Sequence, residues 1–288
     1  MNRSDFRFFH RLRVRWAEVD MQKIVFNAHY FMYFDTAVAE YWRALAMPYE
    51  EAMHLLQGDL YAKKATAEYH ASARYDDRLD VGLKCGRIGN SSMTITCAIF
   101  RDNDLLITGE LIYVFADPAT QTSKPVPPPL RELITAFEAG QGVTDVKLGS
   151  WADLREPATR IRTDVFIDEQ RIPLEMEWDD ADEVSTHAVV FNKLGQAVAT
   201  GRLLPSDLGT AKIGRVAVNR VLRGAGVGRM LMDALIGEAQ RRGDKRIVLN
   251  AQRTAEAFYR GLGFALSGDE FEEAGIAHIE MARDLDPA

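Results

Sequence analysis

RWAEVDMQKIVFNAHYFMYFD, Arg15 to Asp35, decides how the first half of the chain folds. Its opening residues read as a strand, and from about Ala28 it reads as a helix. Tyr30, Phe31, Phe34, Ala37, Val38, Tyr41, Trp42 and Leu45 recur at three- and four-residue steps, the period of one buried helix face. Pro48 is expected to stop that helix. Between strand and helix lies Asp20, a single carboxylate in a loop otherwise crowded with apolar residues. Asp is a common turn and cap residue. The cap zone falls near Asn27, however, so capping does not account for Asp20.

Downstream, Met93, Ile95, Cys97 and Ile99 alternate with Thr94, Thr96 and Ala98, which is the period of a strand. Val81, Leu83 and Cys85 do likewise, and Ile88 to Ser92 supplies the turn between the two runs. Leu111 to Asp117 is apolar on both faces and belongs mid-sheet. A strand, a buried helix and consecutive antiparallel strands make an α+β layer, a sheet wrapped around a helix.

The clearest break is TQTSKPVPPPL, Thr120 to Leu130, whose four prolines fit neither a helix interior nor a central strand. Pro129 to Ala139 then reads as a short helix ending at Gly140. The boundary is placed there, giving domains 1–140 and 141–288. Two domains also suit 288 residues. The second half alternates strands and helices as a mixed α/β domain. Val143 to Gly149, His187 to Asn192, Ala197 to Leu204, Ala211 to Val218, Lys245 to Ala251 and Ile276 to Leu285 read as strands. Trp151 to Phe166, Arg223 to Gly243 and Thr254 to Leu262 read as helices.

An apolar content of 47% and a charged content of 27% fit an ordinary globular protein. A net charge of -7 argues against a general nucleic-acid binder. The first residues show no targeting signal, and no stretch approaches a membrane span. Cys85 and Cys97 match no metal or redox spacing, and the six His residues form no HxxxH or HxH pair, so no metal is expected. These features point to the reducing cytoplasm.

In VAVNRVLRGAGVGRML, a strand ending at Val218 leads through Arg223-Gly224-Ala225-Gly226-Val227-Gly228 into a helix. Glycines let a backbone approach a ligand closely, and a helix N-terminus presents free N–H groups with partial positive charge. Together they can cradle a pyrophosphate. No Gly-Lys-Ser/Thr follows, which rules out a P-loop, and the glycine spacing is not the dinucleotide fingerprint. A glycine run by itself equally serves as a flexible helix start.

The order strand, Arg-x-x-Gly-x-Gly, helix, strand, Asn, Phe-Tyr, Gly-Phe resembles the GNAT superfamily of acetyl-CoA-dependent N-acetyltransferases over about Val143 to Leu285. RTDVFIDEQRIPLEMEWDDAD, THAVV and EAGIAHIEM are similar to its ElaA-type branch. The resemblance implies that Arg223, Gly224, Gly226 and Gly228 hold the CoA pyrophosphate. It implies that the main chain of Val216, Ala217 and Val218 pairs with the pantetheine arm. Asn250 and Tyr259 match the second block, with Tyr259 as proton donor to the leaving thiolate and Asn250 in substrate binding. Glu175, Glu177, Asp179, Asp180 and Asp182 form an acidic run, read as a solvated loop in preference to an attractor of cationic amines. His187, Glu169 and His278 are candidates for taking the amine proton, and water is a further route.

Asp20, with Val25 five residues on and Tyr30 ten on, opens a second resemblance. With SARYDDRLDV, NSSMTI and LIYVFADPATQTSKPVPPPLR, the segment Phe6 to Glu138 resembles the YbgC-type hot-dog acyl-CoA thioesterases of the 4-hydroxybenzoyl-CoA thioesterase superfamily. This implies that Asp20 activates water or attacks the thioester carbonyl itself. Helix-start amides near His29 and Tyr30 would polarise the carbonyl oxygen, with those two side chains shaping the substrate site. Two positions depart from the family. Many relatives carry Gly where this chain has Lys23, and some carry His where it has Asn27. Hot-dog domains pair through their sheets, so at least a homodimer is implied.

The combined expectation is a fusion with acyl-CoA and acetyl-CoA as substrates, an amine as acceptor, and no nucleic acid or membrane partner. The first domain would hydrolyse acyl-CoA and the second would acetylate the amine. The alternative is a hot-dog domain that senses acyl-CoA without turnover and regulates the acetyltransferase.

Overall fold

The first strand lies upstream of the quoted stretch. In the computed structural model, which describes residues 1–205 and 207–285, β1 is Phe8–Arg13. Trp16–Glu18 is a single 3-10 turn rather than a strand. The Glu18 amide bonds the Arg15 carbonyl, and the Glu18 carboxylate turns back onto the Arg15 amide at 2.7 Å. A side chain that bonds the backbone locally in this way competes with strand pairing.

Two compact units divide the chain, Met1–Val143 and a second from Thr144 onward. The first contains helices α1 (His29–Ala44), α2 (Tyr49–Leu56) and α3 (Pro128–Glu138). Its strands after β1 are β2 (Asp59–Tyr69), β3 (Arg78–Ile88), β4 (Ser92–Arg101) and β5 (Asp104–Ala116). Among the described residues these make one five-stranded antiparallel sheet in the order β1-β3-β4-β5-β2. The helix α1 buries Tyr30, Tyr33, Phe34, Ala37, Val38, Tyr41 and Trp42, the face expected from its period except that Tyr33 is buried and Phe31 only half-buried. It ends at Ala44, and Ala46 takes a left-handed φ of 51° before Pro48 is reached. At Gly109 in β5 the helix comes close to the sheet, since a Cβ there would lie 2.6 Å from the Phe34 ring. The short helix after the proline stretch is integral to this unit. It buries Leu130, Leu133, Ile134 and Phe137, and Glu138 accepts hydrogen bonds from the Tyr41 hydroxyl at 2.6 Å and the Cys85 amide at 2.8 Å.

The second unit holds β6 (Thr144–Gly149), α4 (Trp151–Arg162), α5 (Leu174–Glu177), α6 (Ala181–Val184), β7 (Thr186–Asn192), β8 (Ala197–Leu203) and β9 (Thr210–Val218). α7 (Val227–Arg242), β10 (Arg246–Gln252), α8 (Glu256–Arg260), β11 (Ala265–Glu273) and β12 (Ile276–Asp284) complete it. The mixed sheet runs β11-β12-β10-β9-β8-β7-β6 among the described residues. α4 passes into a π-helical turn, Thr163–Glu169. This is the mixed α/β architecture expected, with one strand added. β11 is exposed along its whole length and acidic, so it shows no apolar alternation. Charge on an edge strand of this kind discourages edge-to-edge pairing. Among the described residues no helix is long and apolar enough to cross a membrane.

Candidate active sites

In the second unit, β9 and β10 run parallel from Thr210↔Arg246 to Ile213↔Leu249 and then part. On its other side β9 is bulged, with the β8 register slipping between Thr200 and Arg202 and Arg215 at φ 52°. A bulge bends and twists its strand, and here it turns β9 away from β10. Val216, Ala217 and Val218 consequently line a cleft of about 610 Å³ together with Arg223, Gly224, Gly226, Gly228 and Tyr259. All the residues expected to hold CoA are thus brought to one place.

Gly224 and Gly226 have φ of 84° and 88°, the left-handed backbone that favours glycine. Gly226 caps α7. Among the described residues, the amides of Gly226, Val227, Gly228 and Arg229 meet no backbone acceptor, leaving a row of donors at a positive helix end. The Arg223 guanidinium spans the mouth of the cleft. Its Nε donates to the Val218 carbonyl at 3.2 Å, and its Nη atoms hold both oxygens of Glu169 at 2.7 and 2.6 Å. That guanidinium holds the Glu169 carboxyl below the usual carboxylate range.

A second cavity of about 360 Å³ contains Asn250, His278, Arg202, Lys212 and Glu273. Tyr259 and Val216 line both spaces. The Tyr259 ring is buried against Phe258 and Phe264, and its hydroxyl has no hydrogen-bond partner among the described residues. Burial pushes its pKa up to about 12. Of the three candidate proton acceptors, only His278 lies in this cavity; its Nδ1 is 2.8 Å from the Ile276 carbonyl and its ring stacks on Phe271. Glu169 is engaged by Arg223. His187 is buried against Trp151 with Nε2 2.9 Å from the Asp182 carbonyl, and burial pulls its pKa down.

The acidic run is a solvated loop only in part, at the exposed Glu175 and Asp180. Glu177 and Asp182 are 2% and 3% exposed. Arg162, itself 1% exposed, bonds both. Arg202 holds Asp179 and Asp182, and Arg215 reaches Glu177 and Asp179. Three guanidiniums therefore match three carboxylates, and the Arg162 cation also lies 4.5 Å from the Trp178 ring centroid.

In the first unit, Asp20 sits half-buried at one end of a tight turn. Its amide bonds the Ile24 carbonyl at 2.9 Å, its carbonyl accepts from Lys23, and its Oδ1 accepts from the Gln22 amide at 2.8 Å. Lys23 has φ 60°, the left-handed backbone that favours glycine. Glu18, two residues before Asp20, is the buried carboxylate. Tyr33 on α1 donates to it at 2.7 Å, fastening the loop to the helix. Burial pushes the Glu18 carboxyl up, but the Arg15 amide, the Tyr33 hydroxyl and the Arg15 guanidinium together hold it below the usual range.

The amides of His29 and Tyr30 turn back on the Phe26 and Asn27 carbonyls, at 2.9 and 3.4 Å. Those of Asn27 and Ala28 meet no acceptor among the described residues. The Tyr30 hydroxyl is buried and accepts from the Ala73 amide at 3.0 Å, bracing the helix start against the segment before β3. The His29 ring lies 3.4 Å from the Met32 sulfur and packs edge-on to Phe26.

Comparison with known proteins agrees with this division. An acetyltransferase (GNAT) domain model matches residues 162–285, and a thioesterase superfamily model matches residues 22–108. An uncharacterized N-acetyltransferase of Bacillus subtilis, YjcF, is 39% identical over 125 residues, covering 43% of this chain and 88% of its own. Protein ElaA of Escherichia coli is 36% identical over 130 residues, 44% of this chain and 84% of its own.

The chain joins a thioesterase-superfamily domain to a GNAT acetyltransferase domain of the ElaA type.

A crystal structure of a 1,4-dihydroxy-2-naphthoyl-CoA thioesterase from Synechocystis is similar to the thioesterase-superfamily domain. It is 17% identical with TM-score 0.42, covering 46% of this chain and 97% of that one. Within the GNAT domain, sequence reasoning did not single out Arg202, Lys212 or the Gln252 to Gln170 bond of 3.0 Å. Within the thioesterase-superfamily domain it missed Glu18. The available signal was a second carboxylate, Glu18, two residues before Asp20 in a segment of strand-like composition.

Proposed function

We propose that the chain is a bifunctional CoA-thioester enzyme: its first unit hydrolyses acyl-CoA and its second transfers acetyl from acetyl-CoA to an amine. The observation that carries this reading is the unpartnered Tyr259 hydroxyl at the junction of the glycine-loop cleft and the second cavity. The pantetheine arm pairs with the open edge of Val216 to Val218 as an added strand would. Loop amides from Gly226 to Arg229 hold the pyrophosphate, joined by Arg223 once it leaves Glu169. The amine enters from the second cavity, where Asn250 helps position it, and its nitrogen bonds the acetyl carbon. The C–S bond breaks, the departing thiolate takes the phenolic proton of Tyr259, and the proton shed by the amine restores the tyrosine.

In the first unit the Asp20 carboxylate supplies the base or nucleophile, and the free amides of Asn27 and Ala28 polarise the thioester carbonyl. His29 and Tyr30 shape the acyl pocket. Two copies pair along the largely exposed β2 edge, which removes an open strand of 11 residues.

Thiol release from a panel of acyl-CoAs, with and without amines, tests both activities. Asp20→Asn is expected to abolish amine-independent release, and Tyr259→Phe to suppress amine-dependent release alone. Tight acyl-CoA binding with no release of thiol by the first unit would replace hydrolysis with sensing.

A further inference from the structure

We infer that the acceptor cavity of the second unit is built for an amine that carries a carboxylate, a small aminocarboxylic acid. This rests on the acetyltransferase reading and names its acceptor.

The acidic run beside the cavity offers a cationic substrate little, because Glu177, Asp179 and Asp182 are already matched by Arg162, Arg202 and Arg215. What the network leaves over is a donor. Arg202 is 5% exposed. Its Nη1 serves Asp179 and Asp182 at 2.6 and 2.7 Å, and its Nη2 serves Asp179 at 2.7 Å. Its Nε is buried with no hydrogen-bond partner among the described residues. The Nε hydrogen and the second Nη2 hydrogen form the side-on fork of the guanidinium, the geometry that takes both oxygens of a carboxylate. A buried donor left unmet is costly, so a ligand that supplies the acceptor gains that much in binding.

Glycine opens the way to this fork. Gly214 on β9 is the register partner of Arg202, and a Cβ there would come 4.0 Å from Nε. Lys212, two residues earlier on β9, lines the same cavity and holds no ion pair among the described residues. The other lining charge outside the network is Glu273, which is exposed. One free cation and one free anion suit a zwitterion. A dianionic phosphate would leave a negative charge unmatched.

The test uses the full chain and two readouts. In acetyl transfer, ω-amino acids are compared with amino alcohols of equal length. By calorimetry at saturating CoA, N-acetyl amino acids are compared with their amides. The acid is expected to win by about tenfold or more in each pair, the scale of a charge-assisted bond. Lys212→Gln, which removes an exposed charge, and Gly214→Ala, which covers Nε, should each cut that ratio several-fold. Equal treatment of acid and uncharged partner, or ratios unmoved in both variants, would overturn the inference while leaving acetyl transfer intact. Absence of acetyl-CoA binding would overturn the acetyltransferase reading itself, and the inference with it.

Discussion

The Arg223 guanidinium and the Glu169 carboxylate form a two-bond fork, 2.7 and 2.6 Å, across the mouth of the glycine-loop cleft. Under the proposed function, the cation that would meet the pyrophosphate is held by an internal anion, which the ligand would have to displace. The pair is partly exposed, so its own contribution is small, about 0–1 kcal/mol. Glu169→Gln should therefore lower the KM for acetyl-CoA about two- to fivefold and leave kcat nearly the same. Steady-state kinetics at low and high salt check this. A KM that rises would mean that Glu169 serves the ligand directly.

Tyr259 presents a hydroxyl with no hydrogen-bond partner among the described residues, from a ring packed between Phe258 and Phe264. Removing that oxygen should cost little stability, since no bond is broken. Tyr259→Phe is expected to lower kcat for acetyl transfer by about 10²-fold or more, the range of general acid catalysis, with the KM for acetyl-CoA nearly constant. With its pKa raised to about 12, the phenol keeps its proton through neutral and mildly basic pH. The rate should therefore show no basic limb from this group below about pH 11. A wild-type rate that falls above pH 9, with the fall absent from the Phe variant, would contradict the raised pKa of this group.

What could be read in the chain follows how local each feature is. The residues expected to hold CoA occupy 216 to 228, one continuous run, and the fold brings that run to one cleft. The Arg162, Arg202 and Arg215 partners of the acidic run lie 15 to 38 residues away from it on other elements. Nothing near Glu177 in sequence marks it as buried. The strands β3 and β4 alternate cleanly and were legible. β2 was not, because it lies at the sheet edge, largely exposed, and has no buried apolar face to set a period. Arg15 to Val19 has strand-like composition, yet the Glu18 carboxylate returns to the Arg15 amide and makes a turn. A side chain bonding its own backbone overrides the local pattern.

Asp20 and Lys23 share one turn but differ in what a substitution removes. Asp20→Asn keeps an oxygen for the Gln22 amide, so the turn survives while the charge is lost. Amine-independent thiol release should fall by about 10²-fold or more, with the unfolding temperature within a degree or two. Lys23→Gly should act oppositely. It relieves left-handed strain at φ 60°, worth about 1 kcal/mol, and should raise the unfolding temperature by a few degrees without loss of hydrolysis. Calorimetric scans and thiol assays on the two variants separate the effects. A large unfolding shift in the Asn variant would make Asp20 a structural residue.

Glu18 links loop chemistry to stability through pH. Its carboxyl titrates below its ordinary 4.5 in the folded protein. The folded state therefore binds the proton less readily than the unfolded chain. The resulting stabilisation is fully present above about pH 4.5 and is lost as pH falls through the depressed folded value. Glu18→Gln removes the charge that Arg15 and Tyr33 grip, while leaving an amide oxygen for the tyrosine. It should destabilise the first unit by about 1–3 kcal/mol at pH 7. The gap between variant and wild type should narrow as pH falls below 4.5 and through the depressed folded value, where the wild-type carboxyl takes up its proton. Urea unfolding of that unit between pH 3 and 7 measures the gap, and a difference constant across the range would show that Glu18 acts through packing rather than charge.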